Sequence, residues 1–170
     1  MDTVEFDIFE EFGQALADRF AAFMAGLTTP CVVLIDIESV GGEAEILGDI
    51  KQIIDAKKVE GFIFITNVDE YAYSCGLFLF LMGDIKLCSD SARFMFHSAG
   101  IEIKNKRLIQ QDIAEIAAIV ESANYILDSI VAENTTVAPE ILGVLMKNDN
   151  FLSKEDLIYL GFMEREYELI

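Results

Sequence analysis

The chain has 170 residues, its 30 acidic and 12 basic side chains give a formal net charge of −18, and 53% of it is hydrophobic. This apolar content excludes intrinsic disorder, which combines high charge with low hydrophobicity. Nucleic acids and anionic membrane surfaces are disfavoured as partners, because both are bound through clusters of Lys and Arg. We therefore expect one globular domain over residues 1–170, with its surplus apolar residues at a subunit interface.

The ends and the cysteines of the chain point to a cytoplasmic protein. Its acidic N-terminus is unlike a secretory signal, and no apolar run approaches the length of a membrane span. Cys31, Cys75 and Cys88 lack metal-type spacing, which predicts reduced, buried thiols. A single histidine, His97, excludes a multi-histidine metal centre. We expect neither a metal nor a cofactor.

Strands and helices alternate along the first hundred residues. The first strand alternates apolar and acidic residues, which is typical of a half-buried strand, while residues 31–35 form a continuous apolar run that predicts a strand covered on both faces. The helices show apolar residues at helical spacing. The predicted strands span residues 4–9, 31–35, 61–66 and 92–97, and the predicted helices span 11–27, 43–57 and 73–82.

The longest predicted element is a helix over residues 106–132. Its apolar residues alternate spacings of four and three, as in a helix packed along a neighbouring helix, including one from another subunit; an ordinary core-facing helix fits equally well. These residues are Ile109, Ile113, Ile116, Val120, Ala123, Leu127 and Ile130. Pro139 indicates a further helix, and a capping box at Ser153–Asp156 opens another that ends at Gly161. The alternation predicts an α/β fold.

Three places could carry chemistry. The glycines of Ser39–Gly42 allow close approach of a ligand to the backbone, or simply form a tight turn. Ser74 precedes an apolar helix and is either a nucleophile or a helix cap, although it lacks the Gly-x-Ser-x-Gly motif. His97 is structural, or it is the base of any imidazole mechanism. A triad also needs a carboxylate, and counting alone cannot choose one among thirty acids.

Four motifs occur in an order and at a spacing that resemble the ClpP family, the proteolytic subunits of Clp proteases. Ser39–Gly42 matches the family's Ser-Pro-Gly-Gly, and Ala72–Leu79 matches its Ala-Ala-Ser-Met-Gly-Ala-Phe-Leu. Ala92–His97 matches Ser-Arg-Val-Met-Ile-His, and Asp149–Leu157 matches Asp-Arg-Phe-Leu-Ser-Ala-x-Glu-Ala. The resemblance covers nearly the whole chain and is far more specific than any one motif.

The resemblance implies a ClpP/crotonase fold, a spiral of βαβ units with a protruding handle helix. It also implies a serine endopeptidase acting on polypeptides, with Ser74 as nucleophile, His97 as general base and Asp149 as the orienting acid. The backbone N–H groups of Gly42 and Cys75 would form the oxyanion hole. In this family the subunits form heptameric rings, which stack through the handle helices and enclose the active sites, and the apolar seam at 109–130 lies where that helix belongs.

The chain also departs from the family pattern. It begins almost at the first predicted strand, so we expect a short or phage-type relative, and a Clp-type ATPase partner is left open. Val40 replaces the family's proline, and the segment from Ser98 lacks its glycine-rich strand, which leaves the cleavage preference open. The alternatives are a non-catalytic ClpP-like ring subunit and a crotonase-like acyl-CoA enzyme, which would share the fold without needing Ser74 beside His97.

Overall fold

The computed structural model describes residues 2–103 and 107–164. Strands alternate with helices through most of the chain, as the sequence predicts. The elements are β1 (Thr3–Ile8), α1 (Gln14–Gly26), β2 (Val32–Ile37), α2 (Ala44–Val59), β3 (Ile63–Val68), β4 (Tyr71–Tyr73), α3 (Cys75–Leu81), β5 (Ile85–Cys88), β6 (Arg93–Phe96), α4 (Gln110–Asn134), α5 (Pro139–Leu145), β7 (Asn150–Leu152) and α6 (Lys154–Leu160).

The larger sheet has the strand order β1-β2-β3-β5, and all of its pairs are parallel. Parallel neighbours require crossover connections, which α1, α2 and α3 provide. Alternate residues of each strand are buried on the face that packs in the core, such as Ile8, Ile35 and Phe64. The opposite face stays partly exposed, so the prediction that the 31–35 strand is covered on both faces does not hold within one chain.

The smaller sheet brings the ends of three strands together. It has the order β4-β6-β7, with β4 parallel to β6 and β6 antiparallel to β7. Ser74 follows β4, His97 follows β6, and Asp149 precedes β7. Because β7 runs antiparallel to β6, with Phe96 opposite Asn150, its beginning lies beside the end of β6. The topology thus places all three residues at one edge of this sheet.

The short strands are where the sequence-based prediction fails. β5 and β7 contain four and three residues, too few to show a period of two. The predicted helix over 73–82 is shorter in the structure, because Tyr73 belongs to β4 and the helix spans Cys75–Leu81. In contrast, α6 forms as predicted: Ser153 and Asp156 make the capping box, and Gly161 ends the helix at φ +89°.

Helix α4 is buried at only one end. Leu127 and Ile130 lie in the core, while Ile109 and Ile113 are 57% and 55% exposed. The seam therefore faces the core of its own chain at the C-terminal end and lacks a cover towards the N-terminal end. The predicted start at Lys106 lies outside the described residues, and Arg107–Ile109 precede the helix. No helix within residues 2–103 and 107–164 is long and apolar enough to cross a membrane.

Candidate active site

Ser74 occupies a sharp turn between β4 and α3. Its backbone has φ +51° and ψ −122°, and it is the one non-glycine residue of the described ranges with positive φ. Such a conformation costs about 1–3 kcal/mol and persists only where the surroundings impose it. The Ser74 N–H donates to Met95 O at 2.9 Å, and Phe78 N–H donates to Ser74 O at 3.2 Å. The hydroxyl makes no capping bond to α3, so the helix-cap interpretation of this side chain is wrong.

The Ser74 hydroxyl lies against the only histidine of the chain. Ser74 Oγ and His97 Nε2 are 2.7 Å apart, which is hydrogen-bonding distance. On the other side of the ring, His97 Nδ1 lies 3.5 Å from Asp149 Oδ1, longer than a good hydrogen bond. The side chain of His97 is 33% exposed and that of Asp149 is 69% exposed. The three predicted residues therefore meet in the expected order, with a loose and open contact at the carboxylate.

The position of Asp149 is fixed by its neighbours. Asn150 Nδ2 donates to Leu145 O at 2.7 Å and to Asn148 O at 2.6 Å, which holds the loop between α5 and β7. The Phe151 ring meets the Tyr73 ring edge-on at 5.7 Å between centroids. The sequence analysis assigns no functional role to the side chains of Tyr73, Asn150 and Phe151. Their adjacency in the chain to Asp149 and Ser74 was the one available signal.

The glycine loop packs directly on the Ser74 turn. Gly41 has φ +101° and Gly42 has φ +148°, values that favour glycine. A Cβ on Gly41 would lie 2.6 Å from Ser74 Cβ, and one on Gly42 would lie 2.6 Å from Phe12 N. Substitution at either position would push the loop away from Ser74 or Phe12, so the glycines allow this loop to pack closely on the Ser74 turn.

Backbone bonds hold the same loop in place. Phe12 N–H donates to Gly41 O, and Glu43 N–H donates to Phe12 O, both at 2.8 Å. The Ser39 hydroxyl donates to Glu10 O at 2.6 Å and accepts from the Gly41 N–H at 3.1 Å. The backbone next to Ser74 is therefore preorganised rather than free to adapt.

Cys75 follows Ser74, and its thiol is buried and protonated at neutral pH. It is 2% exposed, and its thiol donates to Gly42 O at 3.4 Å. Burial raises the pKa of the Cys75 thiol to about 11, because the thiolate would lose its hydration. Cys31 and Cys88 are also buried and not in disulfides, as the sequence predicts.

A cavity of about 670 Å³ opens beside Ser74 and His97, and Gly42 and Cys75 lie on its wall. This volume falls in the range typical of ligand-binding sites. Helix α4 contributes a mostly apolar part of the lining, with Ala118, Ile119, Ala123, Ile126 and Leu127. Ala99 N–H donates to Asn124 Oδ1 at 2.8 Å, which ties the segment after His97 to this helix. In the part of the chain that the structure describes, no His, Cys, Asp or Glu cluster suits a metal ion.

Solved structures of low sequence identity share this fold. A point mutant of ClpP1 from Listeria monocytogenes superimposes with a TM-score of 0.78 at 19% identity, covering 93% of this chain and 87% of that one. A peptidase from Plasmodium falciparum gives a TM-score of 0.76 at 11% identity, covering 96% and 95% of the two chains. The protein therefore has the ClpP fold.

The sequence profile of the Clp protease family matches residues 7–167, and the chain belongs to that family. This confirms the resemblance found in the motifs and supports a ClpP-type peptidase. No match was found among curated proteins.

Proposed function

We propose that the protein is a serine endopeptidase with Ser74 as nucleophile, His97 as general base and Asp149 as the acid that orients the imidazole. The observation that carries this proposal is the 2.7 Å contact between Ser74 Oγ and His97 Nε2. A serine hydroxyl is weakly nucleophilic unless a base lies within hydrogen-bonding distance. The strained turn supports the same conclusion, because it holds that hydroxyl out of the helix cap and towards the base.

The chemistry follows from these positions. Ser74 Oγ attacks the peptide carbonyl while His97 Nε2 accepts its proton, and the negative oxygen is stabilised by the N–H groups of Gly42 and Cys75. Collapse of this intermediate breaks the C–N bond, and the imidazolium gives its proton to the leaving amine. A water molecule then attacks the acyl-enzyme, again with His97 as base, and releases the acid. Asp149 faces Nδ1 and stabilises the imidazolium.

We also propose that the subunits form a homo-oligomer, a heptameric ring or stacked rings around a chamber that admits polypeptides. Two apolar surfaces support this. The first is the exposed N-terminal end of α4, with Ile113 in the helix and Ile109 just before it. The second is the outer face of the larger sheet, with Ile63, Ile85 and Leu87. Exposed apolar patches of this kind are typical of protein interfaces. None of the three cysteines, all of which lie in the described residues, is in a disulfide, which is compatible with a reducing, cytoplasmic location.

A fluorescent fluorophosphonate, which phosphonylates activated serines, tests the catalytic part. We expect labelling of the wild type that is lost in Ser74→Ala and sharply reduced in His97→Ala. Ser91→Ala, a change in an exposed turn, is the matched control and should label like the wild type. Light scattering on the same samples identifies the assembled fraction. An assembled protein that is not labelled would contradict the proposal and favour a non-catalytic ring subunit or an acyl-CoA enzyme.

A further inference from the structure

Two carboxylates stand on the wall of the cavity that contains Ser74. Glu43 and Glu45 are, among the described residues lining this cavity, the side chains that carry a formal charge at neutral pH. Both are exposed, and neither forms a salt bridge or a side-chain hydrogen bond within the described part of the chain. Glu43 precedes α2 without capping it. These carboxylates are therefore available to a ligand in the cavity.

Glu43 is the chain neighbour of Gly42, one of the two residues that we assign to the oxyanion hole. The Glu43 N–H is bound to Phe12 O at 2.8 Å. A substrate carbonyl positioned between Ser74 and Gly42 carries its own side chain on the adjacent carbon. The cavity that would receive this side chain is lined by Ser74 and Gly42 together with Glu43 and Glu45.

The rest of the cavity favours a long aliphatic side chain. Most of the α4 residues that line it are apolar, including Ile119, Ala123 and Ile126. Lys and Arg place an aliphatic stem along apolar surface and keep the charged end in contact with water or a counter-ion. An acidic side chain would instead meet two like charges, and an apolar one would leave both carboxylates without a counter-ion.

We propose that this site prefers Lys or Arg in the residue whose carbonyl is attacked, with the stem on α4 and the charge bound by Glu43 and Glu45. The inference rests on the proposed function, because it needs Ser74 as the nucleophile. The residues that determine the cleavage preference would then be Glu43 and Glu45, which follow Gly42 in the sequence.

The test uses three peptide phosphonates that react with activated serines and differ in one side chain: lysine, norleucine or glutamate. Norleucine keeps the aliphatic stem of lysine and lacks the charge. We expect the lysine compound to react about tenfold faster than the norleucine compound, the ratio expected of two partly exposed ion pairs, and the glutamate compound to react slowest. The preference should shrink as salt is raised, since salt screens exposed charges.

Substitution identifies the residues responsible. In the double variant Glu43→Gln and Glu45→Gln, the lysine-to-norleucine ratio should fall to about one. Glu140→Gln, an exposed carboxylate of α5 outside the cavity lining, should keep the wild-type ratio. A wild type that reacts with fluorophosphonate yet prefers norleucine or glutamate would overturn the preference and leave the peptidase proposal intact. A double variant that keeps the lysine preference would overturn the role of these two residues, and failure of the fluorophosphonate reaction would overturn both proposals.

Discussion

Replacing Ser74 by glycine and, separately, by alanine distinguishes the strain in its backbone from the chemistry of its hydroxyl. Both variants lose the hydroxyl and its contact with His97, so this loss cancels when they are compared. Alanine keeps a Cβ at φ +51° and ψ −122°, while glycine adopts this conformation with little strain. The glycine variant should therefore be the more stable of two inactive proteins.

The expected difference can be worked from the backbone geometry. Relief of the strained conformation is worth about 2 kcal/mol. Glycine also gives the unfolded chain more freedom, which offsets about 0.7 kcal/mol of that gain. We expect Ser74→Gly to exceed Ser74→Ala by about 1 kcal/mol in free energy of unfolding. With a urea dependence of roughly 2 kcal/mol per molar, the midpoint should rise by about 0.5 M.

Urea unfolding followed by tyrosine fluorescence measures this difference, because the chain has five tyrosines and no tryptophan. Both variants must be compared at the same protein concentration, since assembly adds to apparent stability. If Ser74→Gly is no more stable than Ser74→Ala, the turn is not strained in the way that the dihedral angles indicate, and the structural argument for a nucleophile turn fails.

Four further predictions concern the triad acid, the buried thiol next to Ser74, the cap of α6 and the exposed end of α4. Asp149→Asn should slow fluorophosphonate labelling roughly 100-fold, less than the roughly 10⁴-fold of a buried triad acid, because Asp149 is exposed and 3.5 Å from His97; a change below twofold would contradict its role. Burial raises the pKa of Cys75 to about 11. The contribution of the protonated Cys75 thiol to the free energy of unfolding should therefore be complete below about pH 9 and decline as the pH rises towards 11. Iodoacetamide near pH 8 should accordingly modify it only after unfolding, and mass spectrometry showing native alkylation would refute this. Asp156→Asn should cost about 1 kcal/mol at neutral pH. Hydrogen bonds from Ser153 lower the pKa of Asp156, so in urea titrations that difference should disappear as pH falls through the lowered value, and a difference independent of pH would argue against the capping role. Ile113→Glu should reduce the assembly mass in light scattering while circular dichroism stays unchanged, and an unchanged mass would show that this end of α4 is not an interface.

The elements that sequence predicted well are those with enough residues to show a period. The helices α1 and α2 carry apolar stripes over more than two turns. The helix α6 is short but has clear end signals, the capping box at Ser153 and the glycine at Gly161. The strands β5 and β7 are too short for this and are defined by pairing with β3 and β6. Pairing partners are distant in the chain, so local pattern could not reveal them.

The site divides in the same way. His97 was identifiable because it is the single imidazole, and Ser74 because it precedes an apolar helix. The positive φ of Ser74 accompanies a tertiary hydrogen bond from its N–H to Met95 O, and the local sequence carries no sign of it. Only the family resemblance distinguishes Asp149 among the thirty acids. Its place beside His97 depends on the antiparallel register of β6 and β7. The sequence alone does not predict that Glu43 and Glu45 line the cavity; their place follows from the fold.

The central claim is that Ser74 forms an acyl-enzyme, and trapping that species tests it most directly. A β-lactone, or a peptide ester quenched with acid, should add one acyl group to the assembled wild type. Digestion and mass spectrometry should then find the group on Ser74. The adduct should be absent from Ser74→Ala and should form far more slowly in His97→Ala. An adduct on another residue, or no adduct on an assembled wild-type protein, would contradict the account.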